Sequence, residues 1–287
     1  MPTNFIPMKK IFDGILIVSD IDGTFLDSNE RPVPKNISAI KYFTENGGRF
    51  TVASGRAHYD VKSSIPVLEE LINAPAILAN GTYLYDFSTQ ETVSPIYMTP
   101  CVADGILSVL RADFKNLDIL AFADGGIYSD AIRGDAACVR DRLDRQYFTE
   151  APICDWPPRR WLKFILVGDP NALDTLTDRL DECYKDSIHH SRSDAKWLEI
   201  QACGSSKGSR IEYLNTHFTS EVQELCIIAA GDYENDIEML LAADVAVCPE
   251  NAIDEVKRVA DYCLCHHDLG LISDIVESIE SGKIQIR

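Results

Sequence analysis

The chain has 287 residues, and 27 Lys and Arg against 45 Asp and Glu leave a formal net charge of −18. That surplus excludes a general nucleic-acid or anionic-membrane binder, because polyanionic partners need basic patches. A hydrophobic fraction of 46% with 25% charged residues excludes a disordered or collagen-like chain and gives enough apolar material for one or two packed domains.

No apolar run approaches the roughly 20 residues of a membrane span, and Met1 to Lys10 lacks a basic region followed by a long apolar one. A cytoplasmic protein is expected. The nine cysteines form no compact framework, which suits reduced thiols. Only Cys263-Leu264-Cys265-His266-His267 hints at metal ligation, and it lacks a second ligand pair at zinc spacing; buried thiols at a strand end are the plainer expectation.

In chain order, Ile15 to Val18 reads as a buried parallel strand, short, apolar and β-branched. Pro34 opens a helix through Ile37, Ile40 and Phe43 that Gly47-Gly48 stops. Phe50 to Ala53 predicts a second strand, Ala57 to Leu71 a helix, and Ala76 to Ala79 a third strand. The last third repeats the alternation with strands at Leu225 to Ala229 and Val245 to Val247. Its helices fall at Glu234 to Leu241, Ala252 to Val259 and Leu269 to Ile279. Strands alternating with helices define an α/β fold, a Rossmann-like doubly wound parallel sheet with ligands at the carboxyl ends of its strands.

The middle differs. A hairpin at Tyr83 to Asp86 and Thr92 to Tyr97, helices at Val102 to Arg111 and Asn171 to Tyr184, and strands at Asp118 to Phe122, Trp161 to Val167, Ser187 to His190 and Lys196 to Ile200 describe an α+β insert. The expected division is a core of residues 1–83 and 201–287 with an inserted domain of residues 84–200.

Four segments carry chemistry. Asp20-Ile21-Asp22-Gly23-Thr24 follows the first strand, and two carboxylates two residues apart suit one hard cation while Gly23 frees backbone amides for an anion, or the segment is only an Asp-rich turn. Ser54-Gly55-Arg56 follows the second strand and offers a hydroxyl and amides to a phosphate, or only a helix cap. Lys207, in Ser206-Lys207-Gly208 at a helix entry, is either a cation for phosphate or a solvated lysine. Gly231-Asp232-Tyr233-Glu234-Asn235-Asp236 follows the Leu225 to Ala229 strand and sets Asp232 and Asp236 four apart, on one face of a helix beginning there, or leaves Asp232 as a cap of that helix.

In this order the segments resemble the four motifs of the haloacid dehalogenase superfamily, and nearly the whole chain resembles its Cof-like subgroup. Asn80-Gly81 and Pro249-Glu250-Asn251-Ala252 are similar to further features of that subgroup. The insert falls between the second and third motifs, where the subgroup carries an α/β cap of the C2 (IIB) type. The resemblance implies a Mg²⁺-dependent phosphatase hydrolysing a small phosphate monoester, a sugar phosphate or phosphorylated cofactor. Asp20 would be the nucleophile that forms an aspartyl-phosphate, and Asp22 the acid and base, a carboxyl poised between both states. The metal would rest on Asp20, the Asp22 carbonyl and Asp232, with Asp236 orienting its water shell. Thr24, Ser54, Gly55 and Lys207 would hold the phosphoryl oxygens, with Asn235 supporting the phosphate or Lys207. Arg56 is a further phosphate-site candidate or a solvent-facing helix residue.

The cap would supply the leaving-group pocket. Its basic residues Arg133, Arg140, Arg142, Arg145, Arg159, Arg160 and Lys163 suggest either anion handling or a solvated face. Phe122, Tyr128, Trp156, Trp161 and Trp197 suggest an apolar pocket or cap core. The same core admits a phosphomutase, and a non-catalytic metabolite-binding protein would need Asp20 or Asp22 lost. The expected partner is a small phosphorylated metabolite, with no nucleic acid or membrane, for a monomer or homodimer.

Overall fold

The computed structural model describes residues 10–157, 160–218 and 225–286. Arg159 and the segment before Lys10, both read above from sequence, lie outside the described residues. The strands are β1 Ile15–Ser19, β2 Arg49–Val52, β3 Ala76–Leu78, β4 Tyr83–Asp86, β5 Glu91–Val93, β6 Asp118–Ala123, β7 Gly126–Ser129, β8 Phe148–Glu150, β9 Trp161–Val167, β10 Ile188–Asp194, β11 Trp197–Ala202, β12 Cys226–Ala230, β13 Val245–Pro249 and β14 Tyr262–Leu264. The α-helices are α1 Pro34–Glu45, α2 His58–Ser64, α3 Val67–Leu71, α4 Pro100–Asp113, α5 Ala137–Arg142, α6 Pro170–Tyr184, α7 Lys207–Phe218, α8 Ile237–Ala242, α9 Asp254–Val259 and α10 Leu271–Glu280.

The central sheet is parallel, in the order β14-β13-β12-β1-β2. Its middle strands read ILIVS and CIIAA and are buried at every position. Alternation is absent because helices cover both faces, so both faces must be apolar. The fold is the α/β sheet the sequence predicts. Beyond β2, Ala53 bridges Ile77 in parallel, and Ser54 N donates to Ile77 O at 2.8 Å, which brings the end of β3 alongside the ends of β1 and β2.

Three local features depart from the sequence reading. The helix expected over Ala57 to Leu71 is two, α2 and α3, broken at Ile65-Pro66, because proline has no amide hydrogen to continue the ladder. The hairpin β4–β5, expected within the insert, pairs with β3 instead. Three strands and one helix, β7, β8, β14 and α5, were too short to leave a periodic signal. β14 carries Cys263, whose register partner is Cys248 on β13; Cys248 is buried as expected, while Cys263 is exposed. All nine cysteines are free. His266 and His267 gather with Asp268, not with the thiols, and His267 Nδ1 donates to Leu26 O at 2.6 Å, bracing the loop after β1.

A second sheet, in the order β10-β11-β9-β6-β7-β8, is antiparallel except for the β7–β8 pair. One of its faces buries Ala121, Phe164, Leu166, Leu198 and Ile200 against Ile106, Leu107 and Leu110 of α4 and Leu173, Leu176 and Leu180 of α6. The other face turns towards the carboxyl ends of the central strands: Lys163 on β9 donates to Gly55 O at 2.7 Å, and Gln201 on β11 donates to Asn80 O at 3.0 Å. Among the described residues no helix is long and apolar enough to cross a membrane.

Candidate active site

Four turns meet where β1, β2, β3 and β12 end, as open α/β sheets require. The chain leaves β1 through Asp20 into a tight loop in which Gly23 takes φ +79°, and a Cβ there would run into the Asp232 carboxylate. Glycine is needed for both reasons. Asn251 clamps the loop from behind by donating to Gly23 O at 2.9 Å, which gives the Pro249 to Ala252 segment its place.

Lys207 is the first residue of α7. Ser206 and Ser209 cap that helix reciprocally, each hydroxyl accepting the other's backbone N–H at 3.0 Å, which fixes the direction of the lysine between them. Lys207 Nζ then donates to Asp20 Oδ1 and to Asp236 Oδ1, both at 2.6 Å, with the lysine 1% exposed. The solvated-lysine alternative is thereby overturned. Burial works against the ammonium, but Asp20 and Asp236 more than offset it and hold its pKa above the ordinary lysine value.

Asp236 Oδ2 accepts from the backbone N–H of Asp232 at 3.0 Å and of Tyr233 at 3.2 Å. It therefore caps the turn in which Asp232 sits, a role that the spacing alone assigned as readily to Asp232. Asp20, Asp232 and Asp236 each offer a carboxylate oxygen, all within 4.8 Å of one another. Burial, then Asp236, pushes Asp232 up to about 7. Burial also pushes Asp20 well above the carboxylate range, Lys207 opposing and the neighbouring aspartates adding to it. One lysine does not balance three acids, two of them buried and Asp232 half-buried. An all-oxygen donor set with excess negative charge fits a hard divalent cation such as Mg²⁺.

Two residues differ in role from the sequence reading. Thr24, expected at the phosphoryl oxygens, is fully buried and donates to Asp232 Oδ1 at 2.8 Å, so its hydroxyl orients the carboxylate. Arg56 is no solvent-facing residue: at 4% exposure it grips Asp22 with Nε to Oδ2 at 2.9 Å and Nη2 to Oδ1 at 2.6 Å. The Asp22 side chain is still 53% exposed to the cleft. Burial of its surroundings opposes ionisation, Arg56 outweighs it, and the Asp22 pKa is lowered. Asp22 thus rests as a carboxylate, not poised between both states, because a bidentate guanidinium favours the charged form.

Ser54 lines the cleft and accepts from Arg56 N at 3.1 Å, which leaves its own hydroxyl hydrogen to donate. Gly55 and Asn235 also line the cleft, Asn235 donating to Asn80 Oδ1 at 3.4 Å. Sequence reasoning missed Asp60 and Glu199. Asp60 is buried and binds both Arg56 (3.3 Å) and Arg142 (2.9 Å), tying α2 to the insert. Glu199, 3% exposed, pairs with Lys163. A buried acid on a strand that alternates with apolar residues, Leu198-Glu199-Ile200, was the available signal.

Among the described residues, the insert's basic side chains do not gather into an anion patch. Arg140 meets Asp141 at 2.9 Å, Arg160 meets Asp124 at 3.4 Å, and Arg133 donates to Lys115 O at 3.0 Å. Of the aromatic candidates, Tyr128, Trp156 and Trp161 pack on one another with ring centroids 5.6–6.0 Å apart, while Phe122 and Trp197 line the cleft.

A model of the haloacid dehalogenase-like hydrolase family matches residues 17–273. The chain belongs to that family and is an enzyme of its phosphatase type. It is 26% identical over 294 aligned positions to 5-amino-6-(5-phospho-D-ribitylamino)uracil phosphatase YwtE of Bacillus subtilis, covering 93% of this chain and 98% of that one. It is 25% identical to pyridoxal phosphate phosphatase YbhA of Escherichia coli, covering 92% and 97%. A haloacid dehalogenase-like hydrolase from Bacteroides thetaiotaomicron superposes with a TM-score of 0.77 at 22% identity, over 93% of this chain and 99% of that one, and shares the fold.

Proposed function

We propose that this protein hydrolyses a small phosphate monoester, a sugar phosphate or a phosphorylated cofactor, in a Mg²⁺-dependent reaction through an aspartyl-phosphate on Asp20. The observation that carries the reading is the placement of Asp20. It stands at the end of β1 beside Lys207 and within the aspartate cluster, on a cleft of ≈670 Å³ that Asp22 also faces. The substrates named for the two phosphatase relatives are both phosphorylated small molecules. Within the insert of residues 84–200, the six-stranded sheet and its helices serve as the cap that shapes the leaving-group side, while the β4–β5 hairpin stays with the core of residues 1–83 and 201–287. Nine free cysteines accord with a cytoplasmic setting.

An Asp20 oxygen attacks phosphorus as the bond to the leaving oxygen breaks, and Asp22 passes its proton to that oxygen. The carboxylate of Asp22 then takes a proton from water, whose oxygen attacks phosphorus; the bond to Asp20 breaks and inorganic phosphate leaves. The first half needs Asp22 protonated against the hold of Arg56. The entering phosphoryl group supplies the counter-effect, since a new negative charge beside a carboxylate raises its pKa. Lys207, Ser54 and the amides around Gly55 bind the phosphoryl oxygens, and Asn235 supports them. Asp20, Asp232 and the backbone carbonyl of Asp22 would hold Mg²⁺, with Asp236 behind them, and its charge would screen the repulsion between Asp20 and an anionic substrate.

Release of phosphate from p-nitrophenyl phosphate tests the reading. Activity should require added Mg²⁺ and disappear in Asp20→Asn; full activity in that variant, or in excess chelator, sinks the assignment.

A further inference from the structure

The open face of the inserted sheet is not a continuation of its core. Strand alternation sends Phe122, Lys163, Ile165, Trp197 and Glu199 to the side opposite the helices, and the register sets Phe122 beside Lys163 and Ile165 beside Glu199. Phe122, Ile165 and Trp197 line the cleft as an apolar strip, with Val139 of α5. Carboxylates surround this strip: Glu30, Asp135, Asp141, Asp194 and Glu199 all line the same cleft.

The cations there are committed. Among the described residues lining the cleft, the arginines are Arg56 and Arg142. Arg56 is held by Asp22 and Asp60, and Arg142 is held by Asp60 at 2.9 Å. Lys163 lies behind the surface, fully buried; it donates to Glu199 and Gly55 O and sits over the Phe122 ring at 4.7 Å. Lys196 and Arg140 meet Asp135 and Asp141, each at 2.9 Å. The pair with Lys163 engages Glu199 Oε2. The other oxygen, Oε1, stands over the Ser54-Gly55 turn, 2.9 Å from where a Gly55 Cβ would sit.

We propose that the leaving-group half of this cleft selects an alcohol with a flat or branched apolar body and a neutral or cationic polar end, and rejects one bearing a second anion. Glu199 is the specificity residue, its Oε1 accepting from an O–H or N–H of the leaving group close to the phosphate. The physical basis is a low-dielectric wall of Phe122, Ile165 and Trp197 flanked by carboxylates. An added anion there finds repulsion and no available cation, whereas an ammonium gains both charge and ring contacts. The inference rests on the phosphatase reading.

Three matched esters test it in Mg²⁺ buffer at low salt: phenyl phosphate, 4-(aminomethyl)phenyl phosphate and 4-(carboxymethyl)phenyl phosphate, in which a methylene insulates the charge from the leaving oxygen. The expected kcat/KM order is aminomethyl, phenyl, carboxymethyl, with about tenfold or more between the extremes. Glu199→Gln should narrow that spread. Asp194→Asn, at an exposed position where folding is not at stake, should narrow it as well, and Trp197→Ala should raise KM for all three esters. A carboxymethyl ester cleaved as well as the aminomethyl ester overturns the inference while phenyl phosphate turnover keeps the phosphatase reading intact. Failure to cleave any of the three overturns both.

Discussion

Arg56 closes on both carboxylate oxygens of Asp22, at 2.6 and 2.9 Å, and its remaining nitrogen reaches Ser64 Oγ at 2.9 Å and Asp60 at 3.3 Å. A residue of the second motif therefore fixes the second aspartate of the first, proposed above as acid and base, and Asp60 fixes the arginine. Arg56→Ala should lower kcat/KM on p-nitrophenyl phosphate by about 10²-fold, the scale of lost acid–base positioning. Arg56→Lys should recover only part of it, because a point charge cannot grip two oxygens at once. Wild-type activity in Arg56→Ala would remove the positioning role.

The aspartate cluster gives a metal prediction read by stability. Mg²⁺ should raise Tm, since a cation bound only by the folded state stabilises it by about 2.7 kcal/mol at a hundred times its Kd. Asp232→Asn should abolish the Mg²⁺ dependence of Tm and raise Tm without metal, as it removes one of three mutually repelling acids. A Tm indifferent to Mg²⁺ in the wild type would contradict the site.

Lys207 compensates two buried carboxylates at once. Lys207→Met should cost about 3–5 kcal/mol, the penalty for stranding a buried charge, seen as a lower midpoint in urea. Its activity should be lost even at temperatures where it remains folded. Retained stability would mean that Asp20 and Asp236 are paired by something else.

His58 sits between Tyr83, whose hydroxyl lies 3.2 Å from Nδ1, and Tyr85, on which its ring stacks at 4.3 Å. Lys62 and Asp124 are the charged neighbours. Burial, then Lys62, lowers its pKa to about 4 from 6.5. The folded state binds the proton less readily than the unfolded one, so this contribution to stability is complete above pH 6.5 and is lost as pH falls towards 4. His58→Gln should flatten that part of the Tm against pH curve; an unchanged slope would exclude His58 as its source.

Gly81 takes φ +83°, and a Cβ there would strike the backbone carbonyl of Ser206. Gly81→Ala should destabilise by about 1–3 kcal/mol and reduce activity, since the displaced segment carries Lys207. Circular dichroism melts and phosphate release measure the two effects, and a neutral substitution would show that the turns do not press on each other.

Much of the arrangement was legible because local physics determines it. The apolar runs before Asp20, Ser54 and Asp232 specify buried strands whatever else surrounds them, and a polar turn after a parallel strand falls at the carboxyl edge of the sheet. The segments holding Asp20, Asp22, Ser54, Lys207, Asp232 and Asp236 could therefore be placed towards one crevice from spacing and order, and the family resemblance joined these residues into one candidate site. The hairpin was assigned to the insert because hairpin pairing says nothing about which sheet receives it; the hydrogen bonds of β3 decide that.

Roles that depend on reach across the fold were not legible. Thr24 and Arg56 lie in recognisable motifs, yet only three-dimensional contact shows Thr24 on Asp232 and Arg56 on Asp22. Asp60 and Glu199 carry no motif, and Arg142 and Lys163, which pair with them across the fold, lie 82 and 36 positions away. The sequence by itself determined the parallel sheet and the turns that follow its strands, because periodicity and turn composition act over a few neighbours. The tertiary structure alone decided which charges cancel one another, because electrostatic pairing depends on distance in space. That cancellation consumes both described arginines lining the cleft, Arg56 and Arg142, and leaves a surplus of carboxylates along it.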